Sequence, residues 1–162
     1  MRNTLKNYTA YNLWANNEMI KCVEKLSQEK LHQTIESSFN SVFKTILHIW
    51  DAEYIWLKRM QGNSINDWPS KMLSKDGFSS NLFLSNSANF NDFVQASDDS
   101  FFEQMCSYTN LKNEKFLTAY STIIMHCMNH GTYHRGQLVT MFRQLGLNEI
   151  PSTDVITFDR IS

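Results

Sequence analysis

His130 and His134 stand four residues apart within Met128-Asn129-His130-Gly131-Thr132-Tyr133-His134-Arg135-Gly136-Gln137. In a helix that spacing is about one turn, so both imidazoles project from one face. Two neutral imidazoles supply two ligands of a three-ligand metal site, and the third must come from another segment. A pair at this spacing is often only a solvated or half-buried helix surface. Here His126 lies one turn earlier, so three of the chain's five histidines fall on one stripe. The ends of that stripe are too far apart to share an ion. His126 and His134 are eight residues apart, about 12 Å along a helix axis, whereas metal–nitrogen bonds are about 2 Å. The usable pair is His126 with His130 or His130 with His134.

His48 is the best source of a third ligand. It falls mid-way along a second apolar-patterned segment, with Ser41, Thr45, Ala52, Ile55 and Arg59 at helical spacing around it. A lone His there reads as a core histidine; opposite a facing pair it reads as a ligand. Thr45 and Ala52 on its stripe, and Cys127 and Gly131 beside the pair, are small and leave room for an ion and its ligand. His32 lies in a polar stretch and reads as solvated. Glu29-x-x-His32 has the spacing of ferritin-like di-iron sites, but no second such pair occurs. Gly131 follows His130 directly, so the glutamate of a zincin His-Glu-x-x-His is missing.

Three imidazoles leave an open coordination position, as in catalytic zinc sites. An open divalent ion acidifies bound water and polarises carbonyls, and a thiol that coordinates it deprotonates. Arg59, on the His48 stripe, and Arg135, next to His134, are candidates to meet an anionic substrate, although a surface ion pair is the commoner role. Gln137, one turn beyond His134, is placed to orient a ligand or a water. Asp51 and Glu53 flank His48 in sequence, and a carboxylate often accepts the second ring proton of a ligating His. No residue stands out as a general base or other catalytic group. Trp14, Trp50, Trp56 and the methionines read as packing.

Four apolar-patterned segments must position these groups: 4–26, 41–61, 81–108 and 118–145. The second stops at Gly62 and the fourth at Gly146. The connection 32–40 is short and polar. The connection 63–80 is longer, with Trp68-Pro69 and Asp76-Gly77, and its length permits a crossover. The tail after Gly146 holds Pro151 and shows no helix pattern. Five glycines and two prolines in 162 residues favour helices over a turn-rich sandwich or barrel. The reading is an all-α four-helix bundle in one domain.

Hydrophobic residues make up 42 % and aromatics 13 % of the chain, which excludes general disorder. A net charge of −1 with no basic cluster argues against nucleic-acid binding. The cysteines, Cys22, Cys106 and Cys127, have neither disulfide-framework nor zinc-ribbon spacing. No apolar run is long enough for a membrane span or a signal core, so the expectation is a soluble cytoplasmic protein.

With these residues in place the chain resembles the DinB family of bacterial four-helix-bundle metalloproteins, which includes YfiT-like proteins and relatives of thiol-dependent S-transferases. Four pieces carry the likeness: Tyr11-Asn12-Leu13-Trp14-Ala15-Asn16, Ile46-Leu47-His48-Ile49-Trp50-Asp51-Ala52-Glu53-Tyr54-Ile55-Trp56-Leu57, the run from His126 to Gln137, and Pro151-Ser152-Thr153-Asp154. The resemblance implies a divalent metal on His48, His130 and His134, with His126 secondary. Zinc or nickel is the first expectation, and iron or manganese also suit imidazole. It further implies a homodimer and a small-molecule substrate. Characterised members join a low-molecular-weight thiol such as bacillithiol or mycothiol to an electrophile. The functional expectation is a metal-dependent thiol S-transferase or hydrolase, the alternative a metal-containing binding or stress-response protein without turnover.

Overall fold

The computed structural model describes residues 2–74 and 77–161; Asp76 of the expected turn lies outside them. Four long helices dominate: α1 (Arg2–Val23), α3 (Val42–Met60), α4 (Ser80–Ala96) and α5 (Tyr120–Gln144). Two short helices, α2 (Gln28–His32) and α6 (Val155–Asp159), two 3-10 turns (Pro69–Met72 and Ser100–Glu103) and a hairpin of β1 (Met105–Thr109) and β2 (Lys115–Ala119) join and follow them. The fold is thus mostly helical with a small two-stranded sheet.

Local chemistry sets the ends of the site-bearing helices. Ser41 caps α3 by accepting the Lys44 amide proton. Gly62 (φ 80°) and Gly146 (φ 86°) adopt the left-handed conformation just beyond α3 and α5, as the sequence predicts. α1 packs on α4 and α5, and α3 packs on the same two, so the helices form a ring in the order α1, α4, α3, α5. The connections between ring positions that are not neighbours are therefore the first, through α2, and the third, through the hairpin. The 63–80 connection that seemed long enough for a crossover joins two adjacent helices.

Two other expectations change. α4 does not continue through 97–108, because Ser97-Asp98-Asp99-Ser100 is a polar turn that leads into a short 3-10 turn (Ser100–Glu103) and then β1. Asp98 Oδ1 there accepts protons from the Ser100 hydroxyl and the Phe101 amide. Phe101 instead anchors the loop by packing on Tyr120, with ring centroids 4.1 Å apart. The tail does contain a helix, α6, whose Phe158 packs on Tyr11 and Trp14, while Tyr11 donates its hydroxyl proton to the Thr153 carbonyl at 2.7 Å.

The interior is layered along the helix axes. One apolar cluster gathers Met19, Ile46, Trp50, Phe83, Leu138 and Phe142. A second gathers Leu5, Leu57, Phe90, Val94, Ile124 and Met128. Between them, on each long helix, lies a polar layer. Glu53 accepts from Asn12 Nδ2 (2.7 Å) and Asn16 Nδ2 (2.9 Å) on one oxygen and from Ser87 Oγ (2.6 Å) on the other. Arg135 Nη1 donates to Asn12 Oδ1 (2.6 Å) and Asn16 Oδ1 (2.9 Å), and Nη2 donates to Thr132 Oγ1 (3.0 Å). A carboxylate and a guanidinium are thereby buried together, each hydrogen-bonded and joined through two amides, as burial of charge requires.

Candidate metal centre

α3 presents His48 and α5 presents His130 and His134 at the level of the polar layer. The Nε2 atoms of His48 and His130 are 2.9 Å apart, and those of His134 and His130 are 3.1 Å apart. The three residues form a cluster whose ligand atoms all lie within 4.8 Å of one another. Two nitrogens bound to one ion by bonds of about 2.1 Å at ordinary angles lie roughly 3.0–3.4 Å apart, so this donor set has the dimensions to hold a metal ion. Its protonation state fits as well. Burial, with the neighbouring His134, pushes His48 down to about 4. Burial and the other three nearby histidines push His130 down to about 3, and burial also lowers His134. Neutral imidazoles are what a metal needs.

The surroundings orient these rings. His134 Nδ1 lies 2.8 Å from Gln137 Oε1. The amide oxygen only accepts, so Nδ1 carries the proton and Nε2 keeps its lone pair toward the other two imidazoles. Gln137 donates in turn to Ser38 Oγ at 3.1 Å. Phe39 stacks on His48 at 4.1 Å and meets His134 edge-on at 5.5 Å, and Trp68 lies 5.8 Å from His48 on the second connection. Trp68 is followed by a short 3-10 turn (Pro69–Met72) that Asp51 pins, accepting from the Ser70 amide at 2.7 Å and the Ser70 hydroxyl at 2.6 Å.

Several sequence-based assignments move. Asp51 is committed to Ser70, and Glu53 to the polar layer. Arg135 belongs to that layer too and does not face a substrate. Gln137 orients a histidine of the cluster. Cys127 is buried, as a small core residue in an apolar helix pattern should be, and burial pushes its thiol well above its ordinary pKa. Thr45 donates to the Ser41 carbonyl at 2.9 Å, and the space over Gly131 is taken by Asn12 and Arg135. Of the four small residues thought to open a cavity, only Ala52 lines one. His126 packs edge-on against Trp56 at 5.3 Å and is not part of the three-histidine cluster. His32 packs on Phe43, away from the cluster. The sequence reading passed over Phe39, Ser38 and Trp68. Each was visible only as an aromatic or hydroxyl in an otherwise polar loop.

Two cavities meet the cluster. One, of about 350 Å³, is bounded by Phe39, Lys44, Leu47, His48, Asp51 and Trp68. The other, of about 150 Å³, opens onto His48 and His130 and extends past Trp56 to Arg59 and His126.

Comparison with known proteins places this geometry. A family model described as the DinB family matches residues 1–161. Protein DinB of Bacillus subtilis (strain 168) is 28 % identical over 153 residues, covering 88 % of this chain and 86 % of the relative. The crystal structure of a DinB-like protein from Bacillus subtilis superposes with a TM-score of 0.67 at 13 % identity, over 91 % of this chain and 97 % of that one, a likeness of fold. A match spanning almost every residue, on a chain whose four long helices bring these three histidines together, leads to one conclusion: this protein belongs to the DinB family.

Proposed function

We propose that the protein is a divalent-metal-dependent enzyme of the thiol S-transferase or hydrolase type, with the ion held by Nε2 of His48, His130 and His134. The observation that supports this reading is the clustering of the three imidazoles, with His130 Nε2 at 2.9 Å from His48 Nε2 and 3.1 Å from His134 Nε2 and the His134 tautomer set by Gln137. Bound there, a divalent ion would have three imidazole ligands and an open position at which it acidifies a thiol or water and polarises a carbonyl. The chain's own residues do the rest. Gln137 holds the His134 ring, Phe39 and Trp68 shield the His48 ring from water, and Asp51 fixes the turn after Trp68. Zinc or nickel is the proposed ion, with iron or manganese the alternatives.

The ring of helices is read as a DinB-type four-helix bundle that functions as a homodimer on a small-molecule substrate. Cytoplasmic residence is proposed on the three free, buried cysteines. Among the described residues no helix is long and apolar enough to cross a membrane.

Elemental analysis of protein purified without an affinity tag tests the site. One ion per chain is expected in wild type, near zero in His130→Ala, and wild-type content in His126→Ala and His32→Ala. Full metal content in His130→Ala would remove the assignment. For the chemistry, the cobalt-substituted protein should change its visible spectrum on addition of a small thiol. Indifference to every thiol and small anion would mark a closed, structural ion.

A further inference from the structure

Arg59 is 6 % exposed, yet its Nε has no hydrogen-bond partner and no acidic side chain pairs with it among the described residues. A buried guanidinium ordinarily has a carboxylate or a set of acceptors around it; Arg135 in the polar layer also leaves its Nε unpartnered, but its Nη atoms donate to Asn12, Asn16 and Thr132. Arg59 has only aromatic faces: its Cζ lies 4.5 Å from the Trp56 ring centre and 5.1 Å from that of Tyr108. Such contacts offset part of the desolvation but leave the N–H donors unused.

The side chain borders the smaller cavity beside the histidine cluster, about 150 Å³ in volume, whose described lining contains no Asp or Glu. Its lining brings His48 and His130 of the cluster together with Trp56, Arg59 and His126, and with Leu111 from the β1–β2 turn. The hairpin also carries Tyr108 onto the guanidinium, so α3, α5 and the hairpin together hold Arg59 in place. A cavity of this volume holds a ligand of several heavy atoms, since a water occupies about 30 Å³.

We propose that Arg59 binds an anionic group of the substrate, a carboxylate, within the cavity that adjoins His48 and His130, so that the protein selects small acidic thiols or electrophiles over neutral ones. The planar guanidinium suits a carboxylate, which can accept two parallel hydrogen bonds from it. Trp56 and Tyr108 cover part of the guanidinium, so the pairing is screened less than at an open surface. His126 also lines this cavity and offers a further hydrogen-bonding group. The placement of the thiol rests on the metal reading above; recognition of the carboxylate does not.

Two measurements on the full-length protein separate them. Trp56 and Trp68 line the cavity, so intrinsic fluorescence reports its occupation. In the metal-free protein, propionate should bind at least tenfold more tightly than propionamide. In the cobalt-substituted protein, 3-mercaptopropionate should perturb the spectrum at concentrations at least tenfold lower than 3-mercaptopropionamide does. Arg59→Gln should remove both preferences, and Arg59→Lys should retain part of them. Equal binding of acid and amide by wild type would overturn the proposal without recourse to any variant, as would an undiminished preference in folded Arg59→Gln. If the protein takes up no cobalt, the metal reading fails while the propionate comparison still decides the role of Arg59.

Discussion

The Nδ1 proton of His134 is given to Gln137 Oε1 across 2.8 Å, within a single turn of α5. That bond selects which ring nitrogen of His134 faces His48 and His130. Gln137 therefore acts on the cluster without touching its centre. Groups of this kind commonly tune metal affinity by about 10–100-fold. Gln137→Ala should weaken binding of zinc or nickel by that order, measured by chelator competition, with little change in helix content. Gln137→Glu should restore most of the affinity. Unaltered affinity in Gln137→Ala would show that packing by Phe39 suffices to hold the ring.

Acid should destabilise the metal-free protein through the same histidines. In the unfolded chain His48 and His130 take up protons near pH 6.5, whereas in the folded chain they stay neutral down to about 4 and about 3. Between those limits the unfolded state binds more protons, so stability rises with pH. It is fully present above about pH 6.5 and lost progressively on acidification toward pH 4 to 3. Comparing urea midpoints of wild type and a His48→Gln/His130→Gln variant from pH 8 to 4 isolates this contribution from the carboxylates. The wild-type midpoint should fall more steeply, and parallel curves would contradict the assignment.

Gly131 supports the site by having no side chain. A Cβ there would lie 2.9 Å from Asn12 Oδ1 and 3.0 Å from Arg135 Nη1, two atoms already bonded to each other at 2.6 Å. In an open helix Gly→Ala gains up to about 1 kcal/mol. Here crowding of a buried network should cost about 1–3 kcal/mol, leaving a net loss. Chemical denaturation of Gly131→Ala should show a lower midpoint, and a higher one would mean that the network relaxes freely.

The legible parts of the chain were those with long periodic patterns and glycine stops. α3 and α5 ended where Gly62 and Gly146 place them, and the four-residue step from His130 to His134 was enough to put those rings on one face. What escaped was set by tertiary packing. Phe101 and Phe102 continue the apolar count of α4, so the polar turn at Ser97–Ser100 was read through and the hairpin missed. Asn113, at φ 63°, marks the tight turn of that hairpin, a conformation available to asparagine but not announced by it. Arg135 and Arg59 look alike in sequence, each on the helix of a cluster histidine. Only the folded chain shows that one is surrounded by acceptors and the other by aromatic rings. Phe39 and Trp68 reach His48 from loops, where no periodicity points.

The layer of Asn12, Asn16, Glu53, Ser87 and Arg135 draws one or two residues from every long helix, and Arg135 immediately follows His134. A slip of α5 along its neighbours by one turn, about 5.4 Å, would take the guanidinium off both asparagines. The same slip would carry His130 and His134 past His48. Greasy layers above and below would tolerate such a shift far better, because Leu, Ile and Met surfaces repack with little directionality. The polar layer thus works as an alignment key: the offset that leaves no buried charge stranded is also the offset at which the three imidazoles meet.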